Sequence, residues 1–123
     1  WSWINMSKGR YVLIISVRDI LSDHPFTPQL NQDLTAEISS YTAKALDRIG
    51  TTYYSKEGYD DFYYGKGAAY GDAHGSVCLL YEQGSTRGHL RNTPSGEWTF
   101  GWTIRNQALA SCATLEAAKA MRT

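Results

Sequence analysis

A chain of 123 residues with 42% hydrophobic and 20% charged side chains has the size and composition of one ordinary globular domain, and neither points to disorder. Its 12 basic and 12 acidic residues cancel, which removes the electrostatic case for nucleic-acid binding or for attachment to an anionic membrane. No run approaches the roughly 18–20 apolar residues of a membrane span, and Trp1-Ser2-Trp3 lacks the basic start of a secretory signal, so the chain reads as soluble, with its compartment open. Beginning on Trp1 rather than Met, it reads as an excerpt rather than a whole gene product.

Tyr11 to Val17 is a short run rich in β-branched residues, the pattern of a strand buried on both faces of a mostly parallel sheet. Ser22 to Pro28 follows as a loop, with Thr27 placed to cap a helix and Pro28 in its first turn. Leu34, Ile38, Tyr41, Ala45 and Ile49 recur at helical spacing and Gly50 supplies a stop, so a helix is predicted from Pro28 to Ile49. Thr51 to Tyr54 predicts a brief strand. Ser55 to Gly75, crowded with Tyr, Gly and Asp, predicts a long irregular segment, and a loop of that length and aromatic content points to function.

Ser76 to Tyr81 predicts a second buried strand that runs directly into Glu82. Arg87 to Trp98 reads as loop, with Pro94-Ser95-Gly96 as its turn. Ile104, Ala108, Ser111, Leu115 and Ala118 then repeat at four, three, four and three residues, predicting a final helix of about five turns whose small, alanine-rich stripe packs on a sheet. Buried strands alternating with amphipathic helices predict an α/β layer arrangement, with the Tyr11 to Val17 and Ser76 to Tyr81 strands in one sheet under the two long helices. Cys78 and Cys112 lie in apolar runs without a CxxC pair, so buried free thiols are expected, with a bridge as the alternative.

The segment Leu79-Leu-Tyr-Glu-Gln-Gly-Ser-Thr-Arg-Gly-His89 carries the chemistry. A buried strand ending in a carboxylate, followed at once by a glycine-containing polar turn, places Glu82 at the carboxyl edge of the sheet, where open α/β sheets bind ligands. The plainer alternative is that Glu82 forms a salt bridge with Arg87.

From His24 to the end the chain resembles the C-terminal part of a bacterial branch of the carboxypeptidase A-like family. The resemblance rests on four segments in the family's order and spacing: His24-Pro-Phe-Thr-Pro-Gln-Leu-Asn-Gln-Asp-Leu-Thr35, Tyr59-Asp-Asp-Phe-Tyr-Tyr-Gly-Lys-Gly67, Glu82-Gln-Gly-Ser-Thr-Arg-Gly-His89 and Thr103-Ile-Arg-Asn-Gln107. Residues 1–22 match poorly. The resemblance implies a single domain whose C-terminal portion spans residues 1–123, with part of a mixed sheet covered by helices, and hydrolysis of C-terminal residues from peptides.

It also implies roles. Glu82 matches the family's general base, which takes a proton from a zinc-bound water and passes it to the leaving amine. Tyr63, with Tyr64 as the neighbour not separated from it, matches a mobile tyrosine that closes over the peptide terminus, and the flanking glycines suit such a lid; wall-packing aromatics are the alternative. Arg87 can hold a substrate carboxylate or pair with an acidic neighbour, the second being favoured. Arg105 is expected to be solvated or paired along its helix.

The zinc ligands of that family do not appear. The upstream His-x-x-Glu pair would precede Trp1, and the later histidine should fall near Ile4-Asn5-Met6, none of which is a first-choice zinc ligand. His24, His74 and His89 have no ligand spacing and are expected in loops and turns. The complete domain is thus expected to use zinc and this chain alone to bind none, whether it is a fragment or a truncated remnant. The competing reading is a non-catalytic remnant or peptide-binding α/β domain. Peptide C-termini are the expected partners, and a missing part of the sheet predicts an exposed apolar edge and self-association through it.

Overall fold

The computed structural model of the protein describes residues 13–15, 26–55, 62–65, 67–84, 86, 88–93 and 96–122. It is a mixed α/β arrangement. A three-stranded sheet has the order β2-β1-β3, with β1 (Leu13–Ile15) central, β2 (Tyr53–Ser55) parallel to it and β3 (Tyr81–Gln83) antiparallel to it. Two long helices, α1 (Gln29–Arg48) and α3 (Phe100–Ala120), pack on each other and on this sheet. Between them lie a short helix α2 (Gly67–Ala73) and a hairpin of β4 (Leu90–Thr93) and β5 (Gly96–Thr99).

The ends of α1 follow from local chemistry. Pro28 stands at the capping position with extended backbone (φ −60°, ψ 146°), and its carbonyl accepts from Asn31 N at 3.0 Å and Gln32 N at 3.4 Å. Thr27, expected to cap, is one residue too early and is buried ahead of the helix. At the other end Gly50 N donates to Asp47 O and Thr51 N to Leu46 O, each at 3.1 Å. That crossed pair needs a left-handed residue between them, which Gly50 provides at φ 64°. Gly75 (φ 84°) closes α2 in the same way, with Gly75 N on Asp72 O and Ser76 N on Gly71 O.

The core is small. Leu46 of α1 and Ala110 of α3 are fully buried, with Ala43, Ile49, Tyr53 and Tyr81 packed around them. The face of α3 that is buried consists of Thr103, Asn106, Ala110, Ala113 and Ala117. This overturns the expected stripe: Ile104 is 53% and Leu115 71% exposed, and Ala108, Ser111 and Ala118 are exposed beside them. On α1 the expected Ile38 is buried, but with Asn31, Thr35, Ser39, Thr42 and Leu46, while Leu34, Tyr41, Ala45 and Ile49 are half-buried. The small buried residues of α3 leave room for the larger Ile38 and Leu46 buried on α1.

Three hydroxyls bond to one another within this contact. The Tyr81 hydroxyl lies 3.0 Å from Thr42 Oγ1 of α1 and 2.7 Å from Thr114 Oγ1 of α3, while Gln107 Nε2 donates to the Tyr81 carbonyl at 3.3 Å. Tyr81 therefore ties β3 to both helices at once. Replacing Tyr81 with Phe removes two hydrogen bonds at roughly 0.5–1.5 kcal/mol each, so a loss of about 1–3 kcal/mol is expected. Urea unfolding checks it, and a midpoint that does not move would deny the tie.

Four other expectations change. The strand expected at Ser76 to Tyr81 is β3 at Tyr81–Gln83. The preceding backbone is occupied by side chains instead, with Cys78 N donating to Asp72 Oδ1 and Asn31 Nδ2 donating to Ser76 O. The irregular segment Ser55 to Gly75 contains α2, in which a Cβ on Gly71 would come within 2.5 Å of Cys78 Sγ and force that side chain to shift. The expected loop Arg87 to Trp98 holds the β4–β5 hairpin, in which Thr93 is registered opposite Gly96 and Trp98 is buried against Trp102 at 5.1 Å. Both cysteines are free, but Cys112 is exposed and Cys78 only half-buried.

Of the strand expected at Tyr11 to Val17, residues 11, 12, 16 and 17 lie outside the described residues. Among the described residues no helix is long and apolar enough to cross a membrane. Also among the described residues, the edges of the three-stranded sheet are β2 and β3.

Candidate functional site

Glu82 is the middle residue of β3, exposed between two half-buried neighbours. Side chains alternate across a strand, so with Tyr81 facing α1 and α3 and hydrogen-bonded between them, Glu82 faces away from those helices. It is registered opposite Ile14, and Gln83 opposite Leu13. Because β3 runs against β1 and β2, its carboxyl end lies at the edge where those two strands begin. The expectation that Glu82 sits at the common carboxyl edge of the sheet is corrected in this respect. Among the described residues the Glu82 side chain has no ion-pair or hydrogen-bond partner; Arg87, which was expected to face either Glu82 or a substrate carboxylate, lies outside the described residues.

After β3 the chain turns tightly. Gly84 is buried, Thr86 is buried with its hydroxyl 3.2 Å from Thr103 Oγ1, and His89 N donates to Thr86 O at 2.9 Å. Gly88 (φ 87°) and His89 (φ 70°) both take the left-handed conformation that reverses the chain into β4. The His89 ring meets Phe100 edge-on at 5.6 Å. These residues line one wall of an open groove of about 870 Å³ whose other wall is α3, with Phe100, Ile104, Ala108 and Ser111. The groove lies on the helix side of β3, opposite the face that carries Glu82.

The tyrosines occupy a separate cluster. Tyr63 is 68% exposed and Tyr64 41%. The Tyr63 ring folds back over Gly65, where a Cβ would come within 3.0 Å of it. Tyr64 packs edge-on against Tyr70 at 5.2 Å, and Tyr70 stacks on His74 at 4.3 Å. His74 Nδ1 lies 2.7 Å from the Tyr70 carbonyl and His74 Nε2 lies 3.2 Å from the Tyr64 hydroxyl. The structure thus separates the two candidates: Tyr64 is joined to α2, and Tyr63 faces solvent. Neither is brought into contact with Glu82 among the described residues. The spacing of Tyr70 and His74, four residues apart across the end of α2, was the available signal for this cluster.

His24 lies outside the described residues, and His74 and His89 stand in turns as expected. Arg105 donates to Asn106 Oδ1 at 3.3 Å and to Thr51 Oγ1 at 3.5 Å, bridging α3 to the link between α1 and β2. Among the described residues no group of three or more His, Cys, Asp or Glu could hold a metal ion, so those side chains do not fit a catalytic zinc, which needs three protein ligands converging on one point. No protein-family model, no curated protein and no solved structure matches the chain significantly.

Proposed function

We propose that the chain is the C-terminal part of a metallocarboxypeptidase domain that removes C-terminal residues from peptides, with Glu82 as its general base. The observation that carries this reading is the setting of Glu82: a carboxylate on a strand bonded to two helices through Tyr81, exposed on the face those helices leave open. A general base needs such rigid support and access, because its proton acceptor must lie within hydrogen-bond reach of the reacting water. The four ordered motifs supply the substrate class. Glu82 takes a proton from the attacking water and delivers it to the leaving amine; Tyr63 closes over the peptide terminus, and Arg87 is a candidate partner of its carboxylate.

The zinc of such a domain would be held by residues other than those described here, and the isolated chain is expected to bind none stoichiometrically at neutral pH. Elemental analysis after dialysis against zinc checks this; about one tightly held ion per chain would contradict it. Joined to the portion carrying the metal ligands, the chain should release the C-terminal residue from a blocked dipeptide. A joined domain that is folded and zinc-loaded yet inert toward a panel of such peptides would refute the proposal.

A second reading is a non-catalytic remnant that binds peptide termini. The open groove between α3 and the turn after β3, with its apolar Phe100, Ile104 and Ala108, favours it. Peptide binding that is lost on changing Ile104 and retained on changing Glu82 would select this reading. Self-association through an edge strand, β2 or β3, belongs to the proposal in either case.

A further inference from the structure

We infer that His74 is a latch for the tyrosine loop: it holds Tyr64 against α2, so that Tyr63 alone is left to swing. The hydrogen bonds determine the direction of the latch. A carbonyl oxygen only accepts, so the 2.7 Å contact with Tyr70 O places the proton of the neutral imidazole on Nδ1. Nε2 is then an acceptor, and the Tyr64 hydroxyl donates to it across 3.2 Å. Tyr70 adds a ring stacked on the imidazole at 4.3 Å and meeting Tyr64 edge-on at 5.2 Å, so the three rings brace one another.

The base of the latch is fixed to the body of the protein. His74 follows the last turn of α2, and Asn31 Nδ2 on α1 donates to Asp72 O at 3.1 Å and to Ser76 O at 2.7 Å, on either side of it. Asp72 Oδ1 accepts from Cys78 N at 3.0 Å. Against this anchor the loop is held at Tyr64, while Tyr63 is the more exposed of the pair and lies over Gly65, whose missing side chain leaves room for the ring. The latch is independent of catalysis; only the purpose of the swing rests on reading Tyr63 as the residue that closes over a peptide terminus.

The test is fluorine NMR of the chain labelled with 3-fluorotyrosine, with the lines of Tyr63 and Tyr64 assigned by their loss in Tyr63→Phe and Tyr64→Phe proteins. In the unaltered chain the Tyr64 line should be broad and shifted by its ring neighbours, and the Tyr63 line narrow and near the position of free fluorotyrosine. His74→Phe keeps a ring for Tyr70 to stack on and removes the acceptor, so the Tyr64 line should narrow and move toward the free position. The Tyr81 line, from a residue bonded between α1 and α3, should stay in place and certify the fold. A Tyr64 line unmoved by His74→Phe while Tyr81 is also unmoved would overturn the latch, as would nitrogen shifts that place the imidazole proton on Nε2. Inactivity of the joined domain, by contrast, would count against the catalytic reading and leave these lines as they are.

Discussion

Changing Glu82 to Gln in the complete domain is expected to reduce turnover by about 10²–10⁴, the range that general-base assistance supplies. The amide is nearly isosteric with the carboxylate but cannot accept the proton, so the loss should appear in kcat. KM should change much less, because the substrate's own carboxylate is held elsewhere. Zinc content should not change, since Glu82 is a proton carrier and not a ligand. Glu82 is exposed on β3, so the substitution creates no buried defect, and loss of activity will not be a disguised loss of fold. Steady-state hydrolysis of a blocked dipeptide, with metal content measured in each protein, decides it. Tyr63→Phe should cost less, because a residue that closes over the ligand contributes to binding without carrying the obligatory proton.

Leu46→Ala is expected to destabilise the fold by about 2–5 kcal/mol, the usual cost of a large-to-small change in a closed core. Leu46 is fully buried between Ala110 of α3 and the half-buried Ala43, Ile49, Tyr53 and Tyr81, and a core this small has few other side chains with which to fill the cavity. Leu115→Ala provides the contrast. Leu115 is 71% exposed, and its truncation should stay within about 0.5 kcal/mol. Urea unfolding of the two proteins measures both, and comparable losses would mean that α3 presents the opposite face to α1.

That contrast marks where the sequence could be read and where it could not. Helix ends depend on one or two residues, so the stop at Gly50 was legible, and its left-handed conformation (φ 64°) is present. Which face of α3 is buried depends on what α3 meets. Periodicity selected the stripe that includes Ile104 and Leu115; the buried face is instead Thr103, Asn106, Ala110, Ala113 and Ala117, whose spacing is nearly the same. Ser76 to Leu80 has the apolar look of a strand, but the Ser76 carbonyl accepts from the Asn31 side chain and Cys78 N donates to the Asp72 side chain, and the first of these joins residues far apart in sequence that no local pattern contains. The β4–β5 hairpin was missed because Pro94-Ser95-Gly96 was read as part of a loop, although Thr93 pairs with Gly96 across it.

For the candidate site, the sequence places Glu82 just past the end of a strand, whereas it is the exposed middle residue of β3. The edge it occupies was not legible, because strand direction is set by pairing, and β3 is antiparallel to β1. Tyr63 and Tyr64 were indistinguishable as neighbours in a loop. The bond from Tyr64 to His74 distinguishes them, and it follows from α2, which the Tyr-, Gly- and Asp-rich composition of Ser55 to Gly75 does not reveal.

The most direct measurement is a crystal structure of the complete domain bound to a non-hydrolysable peptide analogue with a free C-terminus. The expected result places the Glu82 carboxylate within about 2.6–3.2 Å of the group replacing the attacked carbonyl, directly or through one water, on the face of the sheet away from α1 and α3. An analogue bound in the groove between α3 and the turn after β3, with Glu82 on the far side of the sheet, would contradict it.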